Sequence, residues 1–263
     1  MDLGLYDKVA LVTAASKGLG KAVALRLAQE GASVAICARG RESLHEAAAE
    51  IKTETGEEAL TIQADVSDPT AADRLVEATV GRFGRLDILI TNAGGPPPGQ
   101  FLDLTPDDWE AAIQLTLMSA VRLCYTAVPV MKKQEAGAIL AMTSITTKQP
   151  LPNLILSNSL RLGVTGLVKT LADELAPSGI RVNGICPGWT HTRRVDQLLR
   201  DRAERNSTTP DEEAAQISTT IPLGRMGRPE EFAAAAAFLV SEAASYVNGV
   251  SLLVDGGMYR GVA

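Results

Sequence analysis

The feature that most constrains the fold is a regular alternation between short apolar segments rich in β-branched residues and longer amphipathic segments rich in alanine. The short segments are typical of strands buried on both faces of a parallel sheet: Val9–Thr13, Ser33–Ala38, Ala59–Gln63, Leu86–Thr91, Ala138–Thr143, Arg181–Ile185 and Ser251–Val254. The longer segments have helical periodicity: Gly18–Glu30, Glu42–Glu54, Pro69–Phe83, Asp107–Met131, Leu154–Ala176 and Pro229–Leu239. This order predicts an α/β fold with a doubly wound parallel sheet between two layers of helices.

One stretch interrupts the alternation. Between the sixth strand and the last helix, Thr190 to Pro222 is polar and charged. Long excursions in compact domains are often functional, so one interpretation is a lid over a substrate. The other is a solvated pair of helices. Because the chain has no linker, repeat or low-complexity tract, we expect one domain over residues 1–263 that includes this insertion at about 190–222.

Composition excludes several classes of protein. The formal net charge is −6, which disfavours sequence-independent binding of nucleic acid because such binding needs a basic face. Cys37, Cys124 and Cys186 stand far apart in apolar segments, so we expect buried, reduced thiols and no metal site. The N-terminus lacks the pattern of a signal peptide, and the apolar run Phe232–Val240 is too short to span a bilayer. We therefore expect a cytoplasmic protein without a membrane segment.

A glycine-containing turn follows the first strand and opens the first helix. It comprises Thr13, Ala14, Ala15, Ser16, Lys17, Gly18, Leu19 and Gly20. Glycines at this place let backbone N–H groups approach a pyrophosphate, and the N-terminus of the helix adds a positive dipole. Two glycines alone are weak evidence, but their position inside a β-α-β unit favours a dinucleotide site over an ordinary turn.

The end of the second strand indicates which dinucleotide binds. In dinucleotide folds an acidic residue here holds the adenosine ribose of NAD, whereas a basic residue accommodates the 2′-phosphate of NADP. This chain has Ala38 where the acid would stand, followed by Arg39, and it has Lys17 in the glycine turn. Either cation alone is most simply interpreted as a solvated surface residue. Together they predict a preference for NADP(H) over NAD(H).

The ordered motifs resemble those of the short-chain dehydrogenase/reductase family from about Asp7 to Gly257, and near the C-terminus those of its 3-oxoacyl-[acyl-carrier-protein] reductases. The motifs are Thr13-x4-Gly18-x-Gly20, Asp65-Val66, Asn92-Ala93-Gly94, Pro187-Gly188 with Thr192, Pro222-Leu223-Gly224-Arg225, Arg228-Pro229-Glu230-Glu231 and Val254-Asp255-Gly256-Gly257. The resemblance implies a Rossmann-type fold. It also implies cofactor contacts from Thr13, Ser16, Lys17, Gly18, Leu19, Gly20, Arg39, Asp65, Val66, Asn92, Ala93, Gly94, Arg161, Pro187, Gly188 and Thr192.

The resemblance weakens at the catalytic positions. The family uses Asn, Ser, Tyr and Lys, which fall here on Thr116, Ser144, Ser157 and Arg161. Ser157 and Arg161 stay four residues apart, hence on one helix face. A serine hydroxyl is a far poorer acid than a tyrosine phenol, and an arginine stays protonated under ordinary conditions. Arg161 can still hold ribose hydroxyls and supply positive charge near a developing alkoxide.

The proton therefore needs another source. His191 follows the Pro187-Gly188 turn and has a suitable ordinary pKa, while Lys148 lies in the loop after Ser144. A solvated or structural role is the simpler interpretation of each, and we rank His191 above Lys148. Water or Ser157 are the remaining routes.

These patterns favour an NADP(H)-dependent oxidoreductase of a carbonyl/alcohol pair with a nonstandard proton route. The alternative is a dinucleotide-binding protein with little or no redox catalysis. A third hypothesis is dehydration or epimerisation on the same fold, but no specific residues support it. The resemblance also implies a homo-oligomer, commonly a tetramer, that pairs the helices near 107–131 and 154–176 and the C-terminal strands. The partners expected are a small carbonyl or alcohol substrate and further copies of the chain.

Overall fold

Seven parallel strands form one sheet in residues 2–262, the part of the chain that the computed structural model describes. They are β1 Val9–Val12, β2 Ser33–Ala38, β3 Leu60–Gln63, β4 Ile88–Thr91, β5 Gly137–Met142, β6 Ile180–Pro187 and β7 Ser251–Val254. Their spatial order is β3-β2-β1-β4-β5-β6-β7. The predicted parallel, doubly wound sheet is confirmed, and the ends of each strand differ from the sequence prediction by at most two residues.

Helices cover both faces of the sheet. They are α1 Gly18–Gln29, α2 Arg41–Thr55, α3 Ala71–Phe83, α4 Pro106–Ile113, α5 Ser119–Gln134, α6 Ile155–Leu175, α7 Arg193–Asn206, α8 Pro210–Thr220 and α9 Pro229–Val240. One apolar core lies between the sheet and α1, α2 and α9, and the other lies between the sheet and α3, α5 and α6. The three cysteines are buried and free, as predicted. The result is the expected three-layer arrangement.

The prediction of one continuous α-helix over 107–131 is wrong in its middle. A π-helical turn, Gln114–Met118, separates α4 from α5, and the Ser119 N–H bonds to the carbonyl five residues earlier, at Gln114. A π turn widens the helix by one residue, which no periodicity count over this segment reveals.

The same helical stretch corrects the membrane argument. Residues 106–134 are long and apolar enough to span a membrane by length and composition, unlike the nine-residue run considered above. Its buried face, including Leu123, Ala127 and Met131, packs into the core shared with α3 and α6. Core helices of globular proteins pass the same test of length, so this stretch is weak evidence for a membrane.

The position of β1 determines where a ligand binds. The chain runs outward from β1 through β2 to β3, then crosses back so that β4 pairs with the other side of β1. In open α/β sheets a crevice forms at this reversal, beyond the carboxyl ends of the strands. The glycine turn after β1 and the loop after β4 both lie there.

The excursion at 190–222 folds as the helical pair α7 and α8. Val195, Leu199, Ile217 and Ile221 form a small apolar cluster between them. The buried carboxylate of Glu213 joins the two helices, because it accepts hydrogen bonds from Asn206 and Thr208, each at 2.7 Å, and pairs with Arg202. Its role as a lid stays a prediction.

Candidate active site

A cleft of about 660 Å³ runs along the carboxyl ends of the strands. It has the size of a cofactor or substrate site. Most of the residues predicted from the sequence line it: Ser16, Lys17, Gly18, Leu19, Gly20, Arg39, Asp65, Val66, Asn92, Ala93, Gly94, Ser144, Ser157, Arg161, Pro187, Gly188 and Thr192. The exceptions are Thr13, Thr116, Lys148 and His191.

The glycine turn forms one wall of the cleft. Gly18 has φ +57°, in the left-handed region that favours glycine. A Cβ on Gly20 would lie 2.5 Å from the Ala14 carbonyl oxygen and 2.7 Å from Asn92 Nδ2, so only glycine fits there. No side chain caps the N-terminus of α1, which leaves its backbone N–H groups open to an anion.

Thr13 does not line the cleft, and its contact with a cofactor stays a prediction. It is buried, and its hydroxyl donates to the Asn92 carbonyl oxygen at 2.7 Å and accepts from the Asn92 N–H at 2.8 Å. The Asn92 side chain in turn donates to the Ala14 carbonyl at 3.2 Å. Thr13 thus joins the two loops that follow β1 and β4, and it positions the cleft wall from behind.

Two cations stand at one end of the cleft. Lys17 is exposed in the glycine turn and has no ion pair among residues 2–262. Arg39 is exposed after β2, and its Nη1 lies 3.9 Å from Asp65 Oδ2. At that distance and exposure the ion pair is weak, so the guanidinium is free to turn toward another anion.

The other end of the cleft carries the hydroxyl groups of Ser144 and Ser157, and Thr146 contacts both residues. Ser144 follows β5, and its Oγ accepts a hydrogen bond from the Thr146 N–H at 3.1 Å, which leaves its own O–H free to donate. The Thr146 hydroxyl lies 3.1 Å from the hydroxyl of Ser157 on α6. Ser144 and Ser157 both line the cleft, whereas Thr146 is buried behind them.

Arg161 lies one turn after Ser157 on α6. Its Nη1 donates to the backbone carbonyls of Met142 at 3.1 Å and Thr143 at 2.9 Å, at the end of β5. Its Nε is buried without a partner. Burial, and then the positive charge of Arg194, lower the pKa of the guanidinium to about 10. It therefore remains a cation at neutral pH, with donors pointing along the cleft wall.

Thr116 lies behind the site. It is buried in the π turn, it does not line the cleft, and its hydroxyl oxygen has no hydrogen-bond partner. Burying a hydroxyl without a hydrogen-bond partner costs free energy and is uncommon in proteins. No hydrogen bond within the described residues therefore explains the polar side chain at this position. The predicted catalytic role of Thr116 therefore stays a prediction, for a residue that lies behind the cleft.

The two candidate proton donors also lie outside the cleft. His191 is exposed, its backbone N–H donates to the Gly227 carbonyl at 2.9 Å, and its side chain lines neither cavity described here. Lys148 ends the short helical turn after Ser144 and also lines neither cavity. Sequence proximity to Thr192 and Ser144 did not determine where these side chains point.

Sequence reasoning missed Arg194, in the first turn of α7. Its guanidinium is partly buried, lines the cleft and donates to the Pro96 carbonyl oxygen at 2.7 Å. Burial lowers its pKa. A signal was present, because Arg193 and Arg194 occupy the first turn of a helix, where the dipole disfavours cations.

A second, smaller cavity adjoins the first. It has a volume of about 190 Å³, and Leu154 and Leu198 line both cavities. Apolar side chains provide most of its wall: Pro98, Leu151, Pro152, Leu154, Trp189, Leu198, Ile217 and Met258. The loop after β4 contributes to both cavities, because Pro96 lines the first and Pro98 lines the second.

Comparison with known proteins agrees with this geometry. The model of a family described as enoyl-(acyl carrier protein) reductase matches residues 13–259. A 3-oxoacyl-[acyl-carrier-protein] reductase of Synechocystis is 37% identical over 257 residues, covering 97% of this chain and 98% of the relative. The corresponding reductase of Staphylococcus aureus is 34% identical over 252 residues, covering 96% and 98%.

A solved structure is similar over the whole length. The L-sorbose reductase of Gluconobacter frateurii, determined in complex with NADPH and L-sorbose, superposes with a TM-score of 0.95 at 35% identity and covers 100% of both chains.

Proposed function

The chain belongs to the short-chain dehydrogenase/reductase family of NAD(P)H-dependent oxidoreductases, and on that premise we propose that it prefers NADP(H) and interconverts a small carbonyl compound and its alcohol without a tyrosine acid. One observation carries the proposal. A single cleft has Lys17 and the weakly paired Arg39 at one end and the hydroxyls of Ser144 and Ser157 beside Arg161 at the other.

The residues present fit a dinucleotide. A Cβ on Gly20 would meet Ala14 and Asn92, and a Cβ on Gly188 would lie 2.7 Å from the Cβ of Asp255, so these glycines let the loops that wall the cleft pack closely. Nothing lies within 4 Å of the position that a Cβ on Gly94 would occupy, so the backbone there is open to the cleft. Arg161 Nε is a buried donor that still needs an acceptor, and a ribose hydroxyl is one.

The preference for NADP(H) rests on the adenosine end. Lys17 and Arg39 both line the cleft and would attract a 2′-phosphate, and Ala38 offers no carboxylate to a ribose hydroxyl. The similar L-sorbose reductase was solved with NADPH, which supports the same choice here. When bound, the nicotinamide supplies or accepts the hydride; the protein orients it and stabilises charge.

The protein's part in the reaction is electrostatic. The free O–H of Ser144 donates to the carbonyl oxygen, and Arg161 places positive charge beside the oxygen as negative charge develops on it. Ser157 lines the cleft and can relay a proton within it, but its hydroxyl is too weak an acid to be the source. Water entering along the cleft is then the ultimate proton donor.

A second candidate function is a dinucleotide-binding protein that performs little redox chemistry. Arg161 is held by two backbone carbonyls and Ser157 by Thr146, so these side chains already have structural partners. This reading predicts cofactor binding without hydride exchange. Turnover by a variant that contains Ser157→Tyr, which restores the family's acid, separates the two functions.

We also propose that copies of the chain associate through the outer faces of α5 and α6. Tyr125 on α5 is 84% exposed and Leu162 on α6 is 52% exposed, so each of the two helices presents a large apolar side chain to solvent. A second copy covering both would remove this surface from water. Sedimentation of the purified protein tests it, and a monomer at micromolar concentration would contradict it.

The experiment that tests the cofactor proposal is a fluorescence titration of the protein with NADPH and with NADH. We expect NADPH to bind at least about tenfold more tightly, and Arg39→Ala or Lys17→Ala to lose most of that preference because each removes a charge-assisted contact with the phosphate. Arg41→Ala is the matched control, since Arg41 is exposed two residues away and does not line the cleft. Equal affinity for the two nucleotides would overturn the preference.

A further inference from the structure

The loop after β4 holds the Arg194 side chain in the cleft. Its Nη2 donates to the Pro96 carbonyl oxygen at 2.7 Å, and a Cβ on Gly95 would lie 3.0 Å from its Nε. The absence of a side chain at Gly95 therefore makes room for the planar guanidinium, which rests on the loop after β4. Leu198 follows four residues later on the same face of α7 and separates the two cavities.

The end of the cleft that carries Ser144 and Ser157 has positive charge without a counter-ion. Arg161 and Arg194 both line the cleft, and neither forms an ion pair within the described residues 2–262. Burial, and then the positive charge of Arg194, lower the pKa of Arg161, and both guanidinium groups line the same cleft. Asp65 is the one carboxylate lining this cleft among the described residues, and it lies beside Arg39 at the opposite end.

Such a pair is unfavourable unless an anion joins it. Two partly buried cations lose hydration and repel each other, and the N-terminal dipole of α7 adds to the positive potential around Arg194. Asp201 lies two turns further along α7 and lines the second cavity. Its negative charge partly offsets the positive charge of Arg194. A planar carboxylate matches the remaining N–H donors of a guanidinium fork.

We propose that the substrate of this site is a small carbonyl compound that carries a carboxylate, that Arg194 binds the carboxylate, and that the rest of the substrate lies against the apolar wall of the second cavity, away from Asp201, Arg202 and Arg205. This inference rests on the proposed function and names its substrate class. The carbonyl lies at Ser144, the carboxylate at Arg194, and a short branched or cyclic hydrocarbon body passes Leu154 and Leu198 toward Trp189 and Ile217. Arg194 is thus a specificity-determining residue.

The competing source of the anion is the cofactor's diphosphate. The Thr192 side chain would lie 3.5 Å from a Cβ on Gly18, so the start of α7 is also near the glycine turn. The test must therefore separate an effect on nucleotide binding from an effect on the choice of substrate.

The test is isothermal titration of the protein saturated with NADP⁺, which cannot reduce a ketone. The two probes are 4-methyl-2-oxopentanoate and 4-methyl-2-pentanone, which share a hydrocarbon body and differ by a carboxylate in place of a methyl group. We expect the oxo acid to bind at least about tenfold more tightly. Arg194→Gln should reduce that ratio to about threefold or less and leave the affinity for NADP⁺ unchanged. Arg194→Lys should restore part of the ratio, because it keeps the charge and loses the fork.

Arg200→Gln is the matched control. It removes the same charge from the same helix at an exposed residue that lines neither cavity, and it should keep the wild-type ratio. Equal affinity for the two probes, an unchanged ratio in Arg194→Gln, or no binding of the oxo acid at about 10 mM would each overturn the proposal. Loss of NADP⁺ affinity in Arg194→Gln, with the ratio intact, would assign Arg194 to the diphosphate and overturn it as well.

Failure of the proposed function gives a different result. If the protein binds no nucleotide, the cofactor proposal fails, and the same two probes are then titrated into the protein alone. A carboxylate preference that depends on Arg194 under those conditions would retain the anion site, and its absence would reject both proposals.

Discussion

The hydroxyl of Ser157 lies 3.1 Å from the hydroxyl of Thr146, and Arg161, one turn further along α6, donates to the Thr143 carbonyl oxygen at 2.9 Å. Both residues of α6 thus contact the end of β5 and its loop while facing the cleft. The sequence resemblance aligns these two positions with an acid–base pair, and in the proposed function they supply hydrogen bonding and charge stabilisation instead.

Restoring the family's residues should therefore increase turnover. We expect the triple variant Ser157→Tyr, Arg161→Lys, Thr116→Asn to reduce a simple ketone or an acetoacetyl thioester about 10² to 10⁴ times faster than the wild type, the usual contribution of a positioned general acid. Position 157 lines the cleft, so a phenol there has room to extend toward substrate. NADPH oxidation measures the rate. Unchanged turnover with NADPH affinity intact would favour the binding-protein reading instead.

Ser144 should matter for rate more than for affinity. Removing one hydrogen-bond donor to a developing oxyanion typically costs about 10² to 10³ in kcat, so Ser144→Ala should lose that much turnover while its affinity for NADPH changes little. Ser159→Ala is the control, because Ser159 is exposed on α6 and does not line the cleft. Wild-type turnover by Ser144→Ala would remove Ser144 from the mechanism.

The sequence predicted the elements better than the orientation of side chains. Strands such as Ser33–Ala38 are recognisable because both of their faces are apolar, and the glycine turn is recognisable because Gly20 must lie against Ala14 and Asn92. The outward direction of the His191 side chain could not be predicted from the sequence, because it depends on the bridge between Thr190 and Gly227. Arg194 depends on the Pro96 carbonyl 98 residues earlier in the chain. Such contacts are properties of the assembled fold and leave no local pattern.

Gly20 should be intolerant of any side chain. A methyl group there would meet a backbone oxygen at 2.5 Å, so Gly20→Ala should lower the free energy of unfolding by about 1–3 kcal/mol and weaken nucleotide binding. Gly81→Ala is the opposite case within α3, where nothing lies within 4 Å of the added carbon. That variant should be as stable as the wild type or gain up to about 1 kcal/mol, since alanine is the better helix former. Chemical denaturation measures both, and equal effects would contradict the packing argument.

The stability of the α7–α8 pair should depend on pH through Glu213. Hydrogen bonds from Thr208 and Asn206, and then the contact with Arg202, lower the pKa of this carboxyl from its ordinary 4.5 to about 2. Because the folded pKa lies below the unfolded one, the contribution to stability is complete above about pH 4.5 and disappears as the pH falls toward 2. We expect Glu213→Gln to unfold at a lower temperature than the wild type at pH 7, and the difference to shrink through that window. Glu204→Gln, an exposed change on α7, should unfold like the wild type at each pH. A gap between Glu213→Gln and the wild type that stays constant from pH 7 to about pH 2.5 would mean that the variant acts through packing and not through the charge of the carboxylate.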